Sequence, residues 1–174
     1  MKKKFILPIL LVVLLVIAFC YYKYSHNATW QVVEIEMTDD EILKEMPDIA
    51  LTEADHALEN FVVALPEVQE AVKKSSNSES IEVISSKELA SLLQEWISPD
   101  RTVTELTVSG NAIFLGFNEG EYKKVYYTFS ADGSYQMRKT IGIYEKSDDE
   151  IKCKALYETD SEKYKKYVNK RKWF

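Results

Sequence analysis

The chain has 174 residues, of which 46% are apolar, 12% aromatic and 29% charged, and only five are glycine. This composition is typical of a folded protein and excludes a long disordered or low-complexity chain. The formal net charge is −6, with 28 acidic residues against 22 basic ones. Because an acidic chain is poorly suited to binding phosphates, we expect no nucleic-acid partner.

The N-terminal segment has the pattern of a membrane anchor. Three lysines precede residues 5–22, an uncharged run of 18 residues. A helix of that length spans about 27 Å, close to the thickness of the hydrocarbon core of a bilayer. The preceding lysines favour an N-terminus inside the cell. The sequence therefore predicts a single-pass protein of a bacterial, Gram-positive cell membrane, with three parts: an anchor at 1–24, a tether at 25–29 and one extracytoplasmic domain at 30–174.

Cys20 lies near the end of the uncharged run and raises two alternatives to a retained anchor. A lipoprotein needs a small residue before the lipidated cysteine, and Phe19 is bulky. A cleaved signal peptide needs small residues at the cleavage site, which the Ala18–Cys20 segment does not provide. Lipidation of Cys20 and cleavage are therefore disfavoured. The second cysteine, Cys153, has no partner in the predicted domain, so we expect no disulfide there.

The first half of the predicted domain has helical signals and is strongly acidic. A strand is expected at Trp30–Met37, where apolar and acidic residues alternate. Signals for the start of a helix then follow at Thr38, Thr52, Pro66 and Ser85. Residues 34–70 contain twelve acidic residues and one basic residue. The sequence thus predicts several short helices with an acidic surface.

After Pro99 the pattern changes to β-branched and aromatic residues that are separated by turn signals. Short connections of this kind predict an antiparallel meander of about five strands. The last 14 residues hold six basic residues and one acidic residue, and we expect them to form a terminal helix that begins at Ser161. The predicted fold class is therefore α+β, with a helical N-terminal half packed on a C-terminal meander and a terminal helix.

Alternation along the predicted strands defines two faces of the sheet. One face is expected to pack on the helices, and it carries Ile113, Leu115, Val125, Tyr127, Ile141, Ile143, Ile151, Cys153, Ala155 and Tyr157. The second face carries aromatic and basic residues: Phe114, Lys124, Tyr126, Tyr144, Lys152 and Lys154. Such a face is typical of a protein-binding surface, and ordinary cross-strand pairing is the alternative. Gly116 and Gly142 are expected to curve the sheet and leave this face concave.

No catalytic or cofactor-binding pattern emerges from the sequence. His56 follows Glu53 with the spacing of half a carboxylate di-metal site, but the chain has no second half. Neither a nucleophile elbow nor a phosphate-binding glycine loop is present. We therefore expect no metal, no cofactor and no enzymatic activity. A hydrolase that uses two carboxylates stays open as an alternative, although nothing in the sequence marks such a pair.

The arrangement as a whole resembles the TipC family of immunity proteins. The resemblance rests on the lysine-led anchor, the short tether, an acidic domain of about 150 residues, and helices followed by a meander that includes residues 125–145. It implies a membrane-anchored, outward-facing protein that binds and neutralises a secreted toxin aimed at the cell wall. It assigns no binding residues, because it is a resemblance of architecture. A further alternative is an envelope accessory or ligand-binding domain with an apolar pocket between helices and sheet.

Overall fold

The computed structural model describes residues 6–26, 29–77, 79–147, 149–160 and 163–172. The α-helices are α1 (Ile6–His26), α2 (Asp39–Glu45), α3 (Glu53–Ala64), α4 (Pro66–Lys74) and α5 (Ser86–Leu92), with one 3-10 turn at Pro47–Ile49. The strands are β1 (Thr29–Ile35), β2 (Ser80–Glu82), β3 (Arg101–Ser109), β4 (Ala112–Glu119), β5 (Lys123–Ser130), β6 (Arg138–Ser147), β7 (Glu150–Asp160) and β8 (Lys163–Lys172).

The predicted five-stranded meander with a terminal helix is wrong. The described residues form an α+β fold whose sheet has eight strands in the order β1-β8-β7-β6-β5-β4-β3-β2. The segment expected to be the terminal helix is strand β8, which pairs antiparallel with β7. Ser161, where that helix was expected to begin, lies outside the described residues.

The chain divides into two compact units. Unit 1 contains the described residues up to Val33 and from Asn169 onwards, which are α1, most of β1 and the end of β8. Unit 2 is Glu34–Val168 and contains the other helices, strands β2–β7 and most of β8. The candidate sites below lie within unit 2.

The predicted membrane anchor and single-pass location are corrected by the structure. In the part of the chain that is described, no helix is long and apolar enough to cross a membrane. A span needs about 20 consecutive apolar residues, whereas the uncharged part of α1 runs only from Ile6 to Tyr22 and is followed by Lys23. The helix also continues through Ser25 and His26, where the tether was expected to begin. The three lysines before the uncharged run lie outside the described residues.

The short helices of unit 2 begin where the sequence places their caps. Thr38, Thr52 and Ser85 each accept a backbone N–H from the third residue of the helix that follows, and the acidic side chain at that third position bonds back to the cap. These capping boxes satisfy backbone groups that would otherwise lack partners. The helices bury their apolar residues against the sheet: Ile42, Leu58, Val62, Val68 and Leu89.

On the sheet side, the core is formed by the alternate residues of β3–β6 that face these helices. Ile113, Leu115 and Ile141 have no exposed surface, as the sequence predicts for the first face. The rings of Phe117 and Tyr127 meet edge to face, with centroids 6.0 Å apart. These residues give the domain one continuous core beneath its helices.

Two β-bulges interrupt the alternation. The first leaves Thr104 of β3 as an extra residue opposite β4. The second leaves Lys154 as an extra residue of β7, between Ala155 and Cys153. Ala155 therefore stays in the core, whereas Cys153 lies opposite Tyr144 and is half-buried. The prediction that Ile151 and Cys153 pack in the core is wrong, and Ile151 is 55% exposed.

Candidate functional site

Four of the predicted site residues come together on the face of the sheet opposite the helices. Phe114 lies on β4, Lys124 and Tyr126 on β5, and Tyr144 on β6. The residues on either side of Phe114 and of Tyr126 are buried in the core, so Phe114, Tyr126 and Lys124, two residues from Tyr126, point away from it. Tyr144 lies on the same face, because its ring contacts Lys124. The exposed fraction of Phe114 is 38%, and the other three are partly exposed. We call these four residues the aromatic patch.

Two glycines make room for the tyrosine rings of the aromatic patch. A Cβ atom added to Gly142 would lie 2.9 Å from Cε2 of Tyr144. One added to Gly116 would lie 3.2 Å from Cδ1 of Tyr126, and still closer to Oγ1 of Thr104 and Cγ of Glu105 at the β3 bulge, at 2.8 and 3.0 Å. Each tyrosine ring therefore packs against the backbone of a glycine, in the space that a larger side chain at that position would occupy. The predicted concavity of this face stays a prediction, because the positions of the rings do not give the curvature of the sheet.

Lys124 supplies the positive charge of the aromatic patch. Its Nζ atom lies 5.0 Å from the centroid of the Tyr144 ring, which is a cation–π contact. Among the described residues, no carboxylate forms a salt bridge with Lys124 within 4.0 Å. The ammonium group is therefore held in place by a ring and keeps its capacity to bind an anionic group from outside.

Both tyrosine hydroxyls of the aromatic patch are hydrogen-bond donors at neutral pH. Partial burial raises the pKa of Tyr126, with a further contribution from the nearby Glu105 carboxylate. Burial also raises the pKa of Tyr144, and its neighbours Tyr126 and Cys153 add to that increase. Both groups therefore stay protonated across the physiological range.

The structure does not bring Lys152 and Lys154 into the aromatic patch. Lys154 is the extra residue of the β7 bulge, and its Nζ lies 3.9 Å from a carboxylate oxygen of Glu145. Lys152 stands opposite Glu145 in the register, and its Nζ lies 3.3 Å from Glu150. Simple alternation along β7 would place both lysines beside Tyr144, and the bulge breaks that alternation.

A groove of about 440 Å³ adjoins the aromatic patch at Phe114. Thr128, Tyr135, Gln136 and Arg138 also line it. The sequence does not reveal this groove, because Tyr135 and Gln136 belong to the connection between β5 and β6, whose path the strand pattern does not specify. The groove extends the aromatic patch along the sheet.

A larger recess of about 550 Å³ lies where α3 meets the same connection. We call it the α3 cleft, and its lining includes His56, Glu59, Tyr135, Met137 and Tyr164. Glu53, three residues before His56, is not among the described lining residues of the cleft, and Nδ1 of His56 lies 3.5 Å from Oε2 of Glu59. In the described ranges, no group of three or more histidine, cysteine, aspartate or glutamate side chains is arranged to hold a metal ion.

A buried polar cluster joins α3 to the sheet. The Asp55 carboxylate accepts hydrogen bonds from the Tyr127 hydroxyl at 2.9 Å and from Lys139 Nζ at 3.1 Å. Burial acts to raise the pKa of Asp55, but the charge of Lys139 and the hydrogen bonds from Thr52, Tyr127 and Lys139 outweigh it, so the pKa is lowered. Because these groups satisfy one another, the cluster is a structural link. A lysine at a core-facing position of β6 was the signal in the sequence that could have revealed it.

No family model, curated protein or solved structure matches the chain. The resemblance to the TipC family therefore stays a prediction. The features of the molecule that bear on function are the aromatic patch, the groove beside it and the α3 cleft.

We expect Gly142→Ala to displace the Tyr144 ring and to lower the free energy of unfolding by about 1–3 kcal/mol, the usual cost of overpacking. The reason is the 2.9 Å approach of the new Cβ atom to the ring. Urea unfolding measures the cost, and aromatic NMR shifts report the ring. In the double variant with Tyr144→Ala, the cost should be smaller than the sum of the two single costs.

Gly133→Ala is the matched control for this substitution. Gly133 has a φ of +68° and no atom within 4 Å of an added Cβ, so alanine there strains the backbone without touching the patch. It should reduce stability but leave the Tyr144 resonances unchanged. Unchanged Tyr144 resonances in Gly142→Ala would contradict the packing of the ring on Gly142.

Proposed function

We propose that this protein is a stoichiometric protein-binding domain and that the aromatic patch is its contact surface. The observation that carries the proposal is the set of three aromatic residues on an open sheet face, two of them supported by glycines. Aromatic side chains are enriched at protein interfaces, where they bury a large area. A ring already held against the backbone loses little conformational entropy when a partner covers it.

The chemistry of the aromatic patch indicates the kind of partner. Phe114 and the two tyrosine rings offer apolar surface, and the tyrosine hydroxyls donate hydrogen bonds. Lys124, which has no carboxylate partner among the described residues, offers a positive charge. We therefore propose a protein surface of apolar side chains that also presents a carboxylate to Lys124.

The acidic residues of the helices should repel the carboxylate of such a partner only weakly. Except for Glu59, which lines the α3 cleft, they lie on the far side of the sheet, and exposed charges separated by more than a Debye length, about 8 Å at physiological salt, are largely screened. Neither alternative function gains an observation in its favour. The α3 cleft is lined by both polar and apolar side chains, and Glu59 is the one carboxylate among its described lining residues.

Photo-crosslinking in the native cell tests the proposal directly. With a benzophenone amino acid in place of Phe114 in the full chain, we expect one discrete adduct with another protein. The same amino acid in place of Leu92 is the control, because Leu92 is 42% exposed, similar to the 38% of Phe114, but lies on helix α5 and not on the open face of the sheet. Equal adduct patterns at the two positions, or none at Phe114, would contradict the proposal.

Charge reversal then tests the partner chemistry. Once the adduct identifies the partner, Lys124→Glu should weaken its binding at least tenfold, which corresponds to about 1.4 kcal/mol. Lys87→Glu on α5 changes the net charge equally, and it should leave the affinity within twofold. Similar losses in both variants would mean that overall charge, not the aromatic patch, governs association.

A further inference from the structure

The α3 cleft has the lining of a site for an organic cation. The rings of Tyr135 and Tyr164 border it, and Met137 and Leu51 add apolar surface. The Glu59 side chain is 20% exposed, so its carboxylate stays partly hydrated and solvent screens its charge only in part. Aromatic faces and a carboxylate both attract a positive charge.

Among the described lining residues of the cleft, Glu59 has no lysine or arginine as a counter-charge. Its one recorded partner is His56, at 3.5 Å, the outer limit of a hydrogen bond. No lysine or arginine lines the cleft in the described ranges, so an anionic ligand would find no positive charge to bind. A volume of about 550 Å³ is sufficient for a long side chain or a small organic molecule.

The α3 cleft and the groove beside Phe114 have lining residues in common. Tyr135 and Gln136 line both of them. A partner that extends from the aromatic patch along the groove would therefore contact residues that also line the cleft. These shared residues favour a side chain of the partner as the occupant.

We propose that the α3 cleft receives an arginine side chain of the protein that covers the aromatic patch, an inference that rests on the proposed function. Arginine fits better than lysine, because its planar guanidinium stacks on tyrosine rings and pairs with a carboxylate through two hydrogen bonds. Its apolar stem packs on Met137 and Leu51.

NMR titration of the full chain with N-acetyl-arginine amide tests the inference without the partner. The chain has four methionines, so the methyl group of Met137 is readily resolved. We expect the probe to shift the Met137 methyl and the Tyr164 ring resonances, and its neutral isostere N-acetyl-citrulline amide to bind at least tenfold more weakly. Equal binding of the two probes, or no shift at these residues, would overturn the inference.

Glu59→Gln removes the charge without changing the shape of the side chain. It should reduce the affinity for the arginine probe at least tenfold and abolish the preference for this probe over the citrulline probe. Glu67→Gln on α4 should change neither the affinity nor the preference. Glu59→Gln should also reduce the affinity for the partner identified by crosslinking at Phe114. An unchanged affinity for this partner would overturn the assignment of the arginine to it. Binding of the probe without any Phe114 adduct would instead overturn the proposed function and leave the cation site standing.

Discussion

Asp55→Asn is expected to lower the free energy of unfolding by about 3–5 kcal/mol, the usual cost of removing one partner of a buried ion pair. The side chains of Asp55 and Lys139 are 9% and 7% exposed, with Nζ 3.1 Å from the carboxylate. The substitution leaves the Lys139 ammonium buried without a counter-charge. It also weakens the hydrogen bond from Tyr127 and the capping box at Thr52. Urea denaturation of the full chain measures the loss.

Asp48→Asn is the matched control. Asp48 also pairs with a lysine of the sheet, Lys123, at the similar distance of 3.2 Å, but its side chain is 68% exposed. A solvated pair of this kind contributes about 0–1 kcal/mol. Comparable losses in the two variants would show that burial does not set the strength of the Asp55 pair.

The double variant Asp55→Asn/Lys139→Met separates the charge from the packing. With no buried charge left unpaired, it should lose less stability than the sum of the two single variants. Additive losses would mean that Asp55 and Lys139 act independently, against the geometry of the buried cluster.

The contribution of Asp55 should also depend on pH with a definite sign. The pKa of Asp55 is lowered in the folded protein: burial alone would raise it, but the Lys139 charge and the hydrogen bonds from Thr52 and Tyr127 prevail. A lowered carboxylate pKa gives stability that is present above the unfolded pKa of about 3.9 and is lost as the pH falls through the folded value. The difference between wild type and Asp55→Asn should therefore be full at pH 7 and shrink below about pH 4.

Local signals in the sequence were sufficient for the helix starts and for part of the candidate site. The caps at Thr38, Thr52 and Ser85 depend on residues three positions apart, so they can be read without the rest of the fold. Phe114 and Tyr126 could be placed on the open face because β4 and β5 alternate without interruption and pair in continuous register.

The terminal strand could not be predicted in this way, because the apolar residues Tyr164, Tyr167 and Val168 have helical spacing. Contacts distant in sequence decide its structure. β8 pairs with β7, where Tyr167 stands opposite Leu156, and Lys166 Nζ reaches Glu45 of α2 at 2.7 Å. The recesses beside the aromatic patch were missed for a similar reason, because the connection between β5 and β6 and residues distant from it in sequence line them together.

The β7 bulge is the other feature that alternation cannot reveal, and two isoleucines test it. The sequence pattern assigns Ile141 and Ile151 alike to the core, whereas Ile141 is fully buried in the structure and Ile151 is 55% exposed. Ile141→Ala should cost about 2–5 kcal/mol of the free energy of unfolding, because it removes buried methyl groups and leaves a cavity. Ile151→Ala should change it by no more than about 0.5 kcal/mol, as is usual for surface positions.

Both substitutions remove the same atoms from the same residue type in neighbouring strands, so the difference between them isolates burial. Guanidinium unfolding at equal protein concentration gives both values, and unchanged m-values would show that the unfolded state is not altered. A cost above about 2 kcal/mol for Ile151→Ala would place that side chain in the core. It would then restore the uninterrupted alternation of β7, return Cys153 to the core side and put Lys152 beside Tyr144 on the open face.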